Sequence, residues 1–241
     1  MTSKRLKTIG VLGGLGPEAG AYFFETIIDE TAAGRDQDHP PVIVCSLPRV
    51  PDRTEAILYG GPSPVPALRR GLLALRRAGA DFAVISCISA HYFYPQLAAK
   101  SPLPLLNLID ETLADVGRMR PVPKVIGLIA TTGTVKSGIV ERAFSAAGIK
   151  ILIPSARDQK RVMTAIYGKK GIKAGFTDGS SRQILLTLAA DLVRRGAQAV
   201  LAGCTEVPLA LKASDLPVPL IEPMAIGARA AIKRSGARLK R

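Results

Sequence analysis

Tryptophan is absent from the 241 residues, histidine occurs twice, and cysteine occurs three times, at positions 45, 87 and 204. An odd cysteine count without CxxC spacing argues against a disulfide framework or a thiolate metal site. His39 and His91 form neither an HExxH nor an HxxxH pair, so metal chemistry is not expected. No run of 18 continuous apolar residues occurs, which argues against a membrane-spanning helix. The opening stretch MTSKRLKTIGVLGG carries neither a long apolar segment nor a small-residue cleavage site. It reads as a mature start, and a cytoplasmic protein is the expectation. Aromatic residues make up only 5%, and none is interleaved with the basic tail formed by Lys233, Arg234, Arg238, Lys240 and Arg241. A solvated tail is therefore expected, not a nucleic-acid site.

What is present is a core and an excess of positive charge. Hydrophobic residues make up 47%, enough for a globular interior, and the formal charge is +14. Such a positive potential attracts nucleic acid, an acidic surface or a small anionic substrate, and apart from the tail the charge is scattered. Short β-branched runs alternate with helix-periodic stretches. Strands are predicted at 8–12, 42–45, 82–86, 104–108, 124–130, 150–153, 199–202 and 218–221. Helices are predicted over 66–79, where Leu68, Leu72 and Leu75 share a face, and over 181–195, with Leu185, Leu188 and Leu192. Strands apolar on both faces and separated by helices imply parallel sheets covered on both sides.

The two sets of strands look like copies. IGVLGGLG begins at Ile9 and IGLIATTG at Ile126, 117 residues later. RRAGADFAVISC ends at Cys87 and RRGAQAVLAGC at Cys204, again 117 residues later, and Gly16 and Gly133 keep the same offset. Several ordered matches at one period indicate a duplicated α/β unit. The expected architecture is two pseudo-symmetric halves, each a four-stranded parallel sheet flanked by helices, with the active site in the cleft between them. The first half is placed at 1–112, with 222–241 packing back onto it, and the second at 113–221.

Duplication changes the meaning of the cysteines. Cys87 and Cys204 each directly follow a buried strand, and ligands of open parallel sheets bind beyond the carboxyl ends of the strands. Two thiols flanking one site suit inversion of a carbon centre, where one removes a proton from one face and the other returns a proton to the opposite face. Helices starting just after each cysteine are expected to lower the thiol pKa through their N-terminal dipoles. LGGLGPEA and ATTGT offer backbone N–H groups and the hydroxyls of Thr131, Thr132 and Thr134 to a carboxylate. Gly14, Gly16 and Ala19 satisfy a dinucleotide fingerprint on paper, but no ribose-binding acid ends the second strand, so NAD is not expected. Cys45 has no counterpart 117 residues later, where Val162 stands, and reads as a strand-end core thiol.

The stretches IGVLGGLGPEAG, RDQDHPPVIV, VPDRTEAIL, GADFAVISCISAHYFY, GLIATTGTVKSGI, AIYGKKGIKAG and VLAGCTEVPL resemble the aspartate/glutamate racemase family, specifically its aspartate racemase branch. The resemblance spans most of the chain in the family's order. It implies a cofactor-independent homodimer acting on a small acidic amino acid, aspartate first and glutamate second, with Cys87 and Cys204 catalytic. It further implies that Arg53 pairs with the side-chain carboxylate and that Lys173 is a second cationic contact. Leu15, Thr131 and Thr205 match positions that hold the α-carboxylate or amine, and Ser89, a further substrate-binding candidate, retains a hydroxyl where the family has threonine. Ile88 stands where the family has asparagine, so an amide contact to substrate is missing. That departure keeps two alternatives open, a same-fold decarboxylase or isomerase of a related diacid, and a non-catalytic small-anion binder. His91 reads as orienting the turn after Cys87, and Glu206 as either capping a helix or tuning the second thiol.

Overall fold

The eight short runs all become strands in the computed structural model, which describes residues 5–240. The first four residues and Arg241, part of the expected N-terminal stretch and basic tail, lie outside the described residues. In the first half β1 (Ile9–Gly13), β2 (Val42–Ser46), β3 (Phe82–Ile85) and β4 (Leu105–Leu106) form a parallel sheet in the order β2-β1-β3-β4. The helices of this half are α1 (Pro17–Glu30), α2 (Arg53–Leu58), α3 (Val65–Arg77), α4 (Tyr94–Ala98) and α5 (Leu108–Val116).

The second half repeats the plan. Strands β5 (Val125–Ile129), β6 (Lys150–Leu152), β7 (Ala199–Ala202) and β8 (Leu220–Ile221) are parallel in the order β6-β5-β7-β8. Its helices are α6 (Thr132–Ser137), α7 (Ile139–Ala146), α8 (Ala156–Tyr167), α9 (Ser180–Arg194) and α10 (Val207–Ala210). The last helix, α11 (Pro223–Ser235), packs against α1 and α5. Among the described residues no helix is long and apolar enough to cross a membrane.

Period-two alternation explains why the strands are apolar throughout. Val11 and Val84 point into a core that also takes Leu128 and Leu201 from the other sheet, so one buried cluster runs through both halves. Leu12 and Ile85 point the other way, onto Leu68, Leu72 and Leu75 of α3. Ile129 and Val200 do the same against Leu185, Leu188 and Leu192 of α9. Gly10 and Gly127, one in each central strand, let these helices come close. A Cβ at Gly127 would stand 2.9 Å from the Leu192 Cβ.

Strands β4 and β8 are shorter than expected, two residues each, because Pro104 and Pro219 precede them and because Asn107 after β4 already caps α5. Proline cannot donate to a sheet ladder. The tail is also more ordered than a free solvated segment. Lys240 N–H donates to the Glu30 carbonyl at 2.9 Å and Ala32 N–H to the Arg238 carbonyl at 2.8 Å. Arg234 lies over the Phe82 ring at 5.2 Å.

Candidate active site

Four loops leave the carboxyl ends of the two central strand pairs and meet at the switch points of the sheets, where the strand order reverses. After β1 comes the glycine turn with Leu15, and after β3 come Cys87, Ile88 and Ser89. After β5 comes Thr131, which caps α6 by accepting from the Thr134 N–H. After β7 come Cys204, Thr205 and Glu206. Together with Arg53 from α2, Tyr167 at the end of α8 and Lys173 from the short turn 172–174, they line one cavity of about 220 Å³. Leu15, Arg53, Cys87, Ile88, Ser89, Thr131, Lys173, Cys204 and Thr205, all expected at the site, line this cavity together with Thr134, but Thr132 does not, and its hydroxyl instead accepts from Gln159 Nε2 at 3.3 Å. A larger groove of about 720 Å³ beside Cys45, Arg49 and Arg70 carries no opposed acid/base groups. Cys45 itself is only half-buried, so it is less a core thiol than the strand pattern implied.

The glycine turn is shaped by close approach. Gly14 has φ +88°, and a Cβ there would stand 2.2 Å from the Leu47 backbone nitrogen. Gly16 ends the turn, and Pro17 starts α1 at the position where its missing N–H costs nothing. Two halves close over the site through α2 and α6, where a Cβ at Gly133 would lie 2.7 Å from Thr54 Oγ1.

On the first wall, Cys87 Sγ and Ser89 Oγ are 3.3 Å apart. Arg53 is almost wholly buried, and its guanidinium donates to the carbonyls of Leu15 at 2.7 Å and Pro51 at 3.1 Å. Its Nε is buried without a partner. On the second wall, the Cys204 thiol donates to Glu206 Oε2 at 2.9 Å, and Thr205 Oγ1 donates to the same oxygen at 3.2 Å. Lys173 pairs with the other carboxylate oxygen of Glu206 and donates to the Leu15 carbonyl at 3.2 Å. Its ammonium lies 5.4 Å from the centre of the Tyr167 ring.

Burial pushes the Cys204 thiol well above its ordinary range, and the Glu206 carboxylate pushes it further, while Lys173 pulls it down by less. This reverses the helix-dipole expectation. α10 has only four residues, and a 3₁₀ turn over 89–93 follows Cys87 in place of an α-helix, so neither thiol has a long dipole behind it. Burial works against the Lys173 charge, but Glu206 and the two thiol sites outweigh it, so the ammonium ends above its ordinary range. Burial also raises the Tyr167 phenol, as does Asp52, whose carboxylate accepts from its hydroxyl at 3.0 Å.

Tyr167 was missed in the sequence. It lies in the stretch AIYGKKGIKAG beside Lys173, but nothing in that stretch distinguishes an exposed helix-end tyrosine from one facing a cavity. The two roles open to Glu206 resolve to one. It occupies the N-cap of α10 without a side-chain capping bond, and its carboxylate turns to Cys204 and Lys173. Ile88 is buried and forms part of the wall between the cavity and a second, apolar hollow lined by Ile109, Val140, Phe144 and Leu201.

The chain resembles known proteins in fold and sequence. The structure of Picrophilus torridus aspartate racemase superposes with a TM-score of 0.87 at 31% identity, covering 97% of this chain and 96% of that one. Glutamate racemase from Francisella tularensis in complex with D-glutamate shares the fold, with a TM-score of 0.66 at 18% identity over 95% of this chain and 81% of that one. The broad specificity amino-acid racemase RacX of Bacillus subtilis is 22% identical over 232 residues, 93% of this chain and 96% of that protein. Fold and likeness together define an enzyme, an isomerase of the amino-acid racemase class. More narrowly, the chain belongs to the Asp/Glu/Hydantoin racemase family, whose model matches residues 12–231.

Proposed function

We propose that this chain is a cofactor-independent aspartate racemase that moves protons between Cα and two cysteines. The observation that carries this reading is one cavity lined by a thiol from each half, Cys87 and Cys204, with two cations beside them. One thiolate takes the Cα proton while the opposite thiol supplies another to the other face. The Cα–H is a weak acid, so the developing charge needs fixed donors in a water-poor site. Arg53 and Lys173 supply positive charge, and the hydroxyls of Ser89, Thr131 and Thr205 supply polar contacts to the α-carboxylate and ammonium. Arg53, with Nε free, suits the side-chain carboxylate.

The likeness to the Picrophilus enzyme supports aspartate over glutamate. A homodimer in the cytoplasm accompanies the proposal, with α11 assigned to the first half because it packs on α1 and α5. The test is proton NMR of L-aspartate in D2O with the reduced protein. Loss of the Cα–H signal together with formation of D-aspartate is expected, and Cys87→Ser and Cys204→Ser should each abolish racemisation. Absence of exchange with both aspartate and glutamate would overturn the reading and leave a diacid decarboxylase or an anion binder.

A further inference from the structure

The duplication suggests two equivalent thiols, but their surroundings differ. Cys87 has a neutral hydroxyl beside it, Ser89, whereas Cys204 donates its proton to a buried carboxylate at 2.9 Å. Glu206 is only 3% exposed, and the site is built around it. Its second oxygen is held by Lys173, and the first half makes room for it through Gly16. A Cβ at Gly16 would stand 2.6 Å from Glu206 Oε1 and 3.3 Å from Lys173 Nζ. The carboxylate does not cap its own helix, so a purely local structural role leaves this arrangement unexplained.

From this geometry we infer that Glu206 is a positioning residue that holds the proton on Cys204 between turnovers, making the two thiols unequal and giving the resting enzyme a preferred direction. The inference rests on the two-cysteine reading above. In the resting form Cys87 is the base and Cys204 the acid. The Cα–H bond breaks and its electron pair stays on the substrate, while the proton forms an S–H bond at Cys87. The S–H bond of Cys204 then breaks, and its proton forms the new C–H bond on the opposite face. The enzyme is left with a Cys87 thiol and a Cys204 thiolate, and its total proton count is unchanged.

That second form places a thiolate against a carboxylate. The groups facing Cys204 from the packed elements are Glu206 in its own loop, Lys173 from the 172–174 turn and Tyr167 from the end of α8, with Cys87 and Arg53 across the cavity. Only Lys173 and Arg53 are cationic, and Lys173 is already engaged by Glu206. The Cys204-thiolate form therefore lies higher in energy than the resting form.

A measurable consequence follows from the reaction's equilibrium constant of unity. The ratio kcat/KM must be equal for the two enantiomers, whatever the enzyme does. Unequal forms can therefore show only as kcat and KM shifting together. The enantiomer that binds the Cys204-thiolate form should have both the higher KM and the higher kcat, by one common factor. Each pKa unit of inequality between the thiols corresponds to a factor of about ten.

The test combines steady-state kinetics in both directions with NMR of cysteine ¹³Cβ, which reports thiol and thiolate without a reagent entering the cavity. Cys45→Ser and Cys87→Ser assign the signals. In the wild type, kcat should differ between the enantiomers by roughly tenfold or more, and Cys204 should remain a thiol to a pH well above the ordinary thiol range. Glu206→Gln keeps an oxygen acceptor but removes the charge. It should lower the Cys204 transition and bring the two kcat values together, still with equal kcat/KM. An unchanged Cys204 titration in Glu206→Gln, or equal wild-type kcat values, would overturn the inference. If neither aspartate nor glutamate turns over, the racemase reading fails, and the NMR titration still decides whether Glu206 holds the proton.

Discussion

The ring of His91 is clamped between two backbone groups, with Nδ1 2.8 Å from the Cys87 carbonyl oxygen and Nε2 accepting the Leu108 N–H at 3.1 Å. The second bond fixes the tautomer. Nε2 must be the bare nitrogen, so Nδ1 carries the hydrogen and donates to Cys87. The histidine thus ties the loop carrying the first thiol to the start of α5.

The clamp predicts a pH dependence of stability. Burial lowers the His91 pKa from 6.5 to about 4, against the opposing pull of its bonds to the backbone. The unfolded chain takes up a proton in this window that the native chain refuses. Stability from this group is therefore fully present above pH 6.5 and is lost as pH falls toward about 4. The loss amounts to about 3 kcal/mol. Urea unfolding between those pH values should show a flatter profile for His91→Gln than for the wild type. Identical slopes would remove His91 from this role.

A second prediction concerns closure of the site across the halves. Gly133 has no room for a methyl group, since its Cβ would lie 2.7 Å from Thr54 Oγ1 and 2.9 Å from Thr54 Cα. Backbone cannot yield as a side-chain tip does. Gly133→Ala should cost about 1–3 kcal/mol by overpacking and should lower kcat by moving Thr131 relative to Arg53. Thermal unfolding and initial rates check this together, and a fully active, fully stable variant would show that α2 and α6 separate freely.

Much of this arrangement was legible because it repeats. The 117-residue offset that pairs Cys87 with Cys204 also pairs Leu68 with Leu185, Leu75 with Leu192 and Gly10 with Gly127, so one packing scheme is written twice. Two copies of a strand–loop pattern were enough to place both cysteines at the same end of their sheets. The repeat could not show where the copies diverge. The thiols differ through Ser89 in one half and Glu206 in the other. Whether Glu206 faced its own helix or the thiol depended on the position of Lys173, 33 residues earlier in the chain. Tyr167 escaped for the same reason, because its partner Asp52 is 115 residues away. The expected helix dipoles failed on length, since CTEVPL starts a helix that ends within four residues.

Arg53 supports a third prediction. Its guanidinium spans the Leu15 and Pro51 carbonyls, with Nε buried and unpartnered, a task that needs a planar fork. Arg53→Lys keeps the charge but reaches one partner at a time. Loss of one charge-assisted bond costs about 1.5–3 kcal/mol, so KM for aspartate should rise roughly tenfold to a hundredfold. The thermal midpoint should also fall, because a backbone carbonyl is left without its donor. An unchanged KM would show that another group binds the side-chain carboxylate.

The last prediction separates the worth of an ion pair from the cost of breaking it. Lys173 and Glu206 form a pair in which the carboxylate is nearly inaccessible and the ammonium side chain is 20% exposed. Removing the lysine strands a buried charge, which costs about 3–5 kcal/mol. Lys173→Met should therefore be strongly destabilised in urea unfolding. Glu206→Gln removes the charge that needs pairing, so the double variant Lys173→Met/Glu206→Gln should be more stable than Lys173→Met alone. The coupling between the sites should amount to at least about 1 kcal/mol, because the side chains touch. Additive single effects would mean that solvent reaches Glu206 and screens it. A large coupling would show that Lys173 compensates the buried carboxylate through one oxygen while the other accepts the hydrogen bond of the Cys204 thiol.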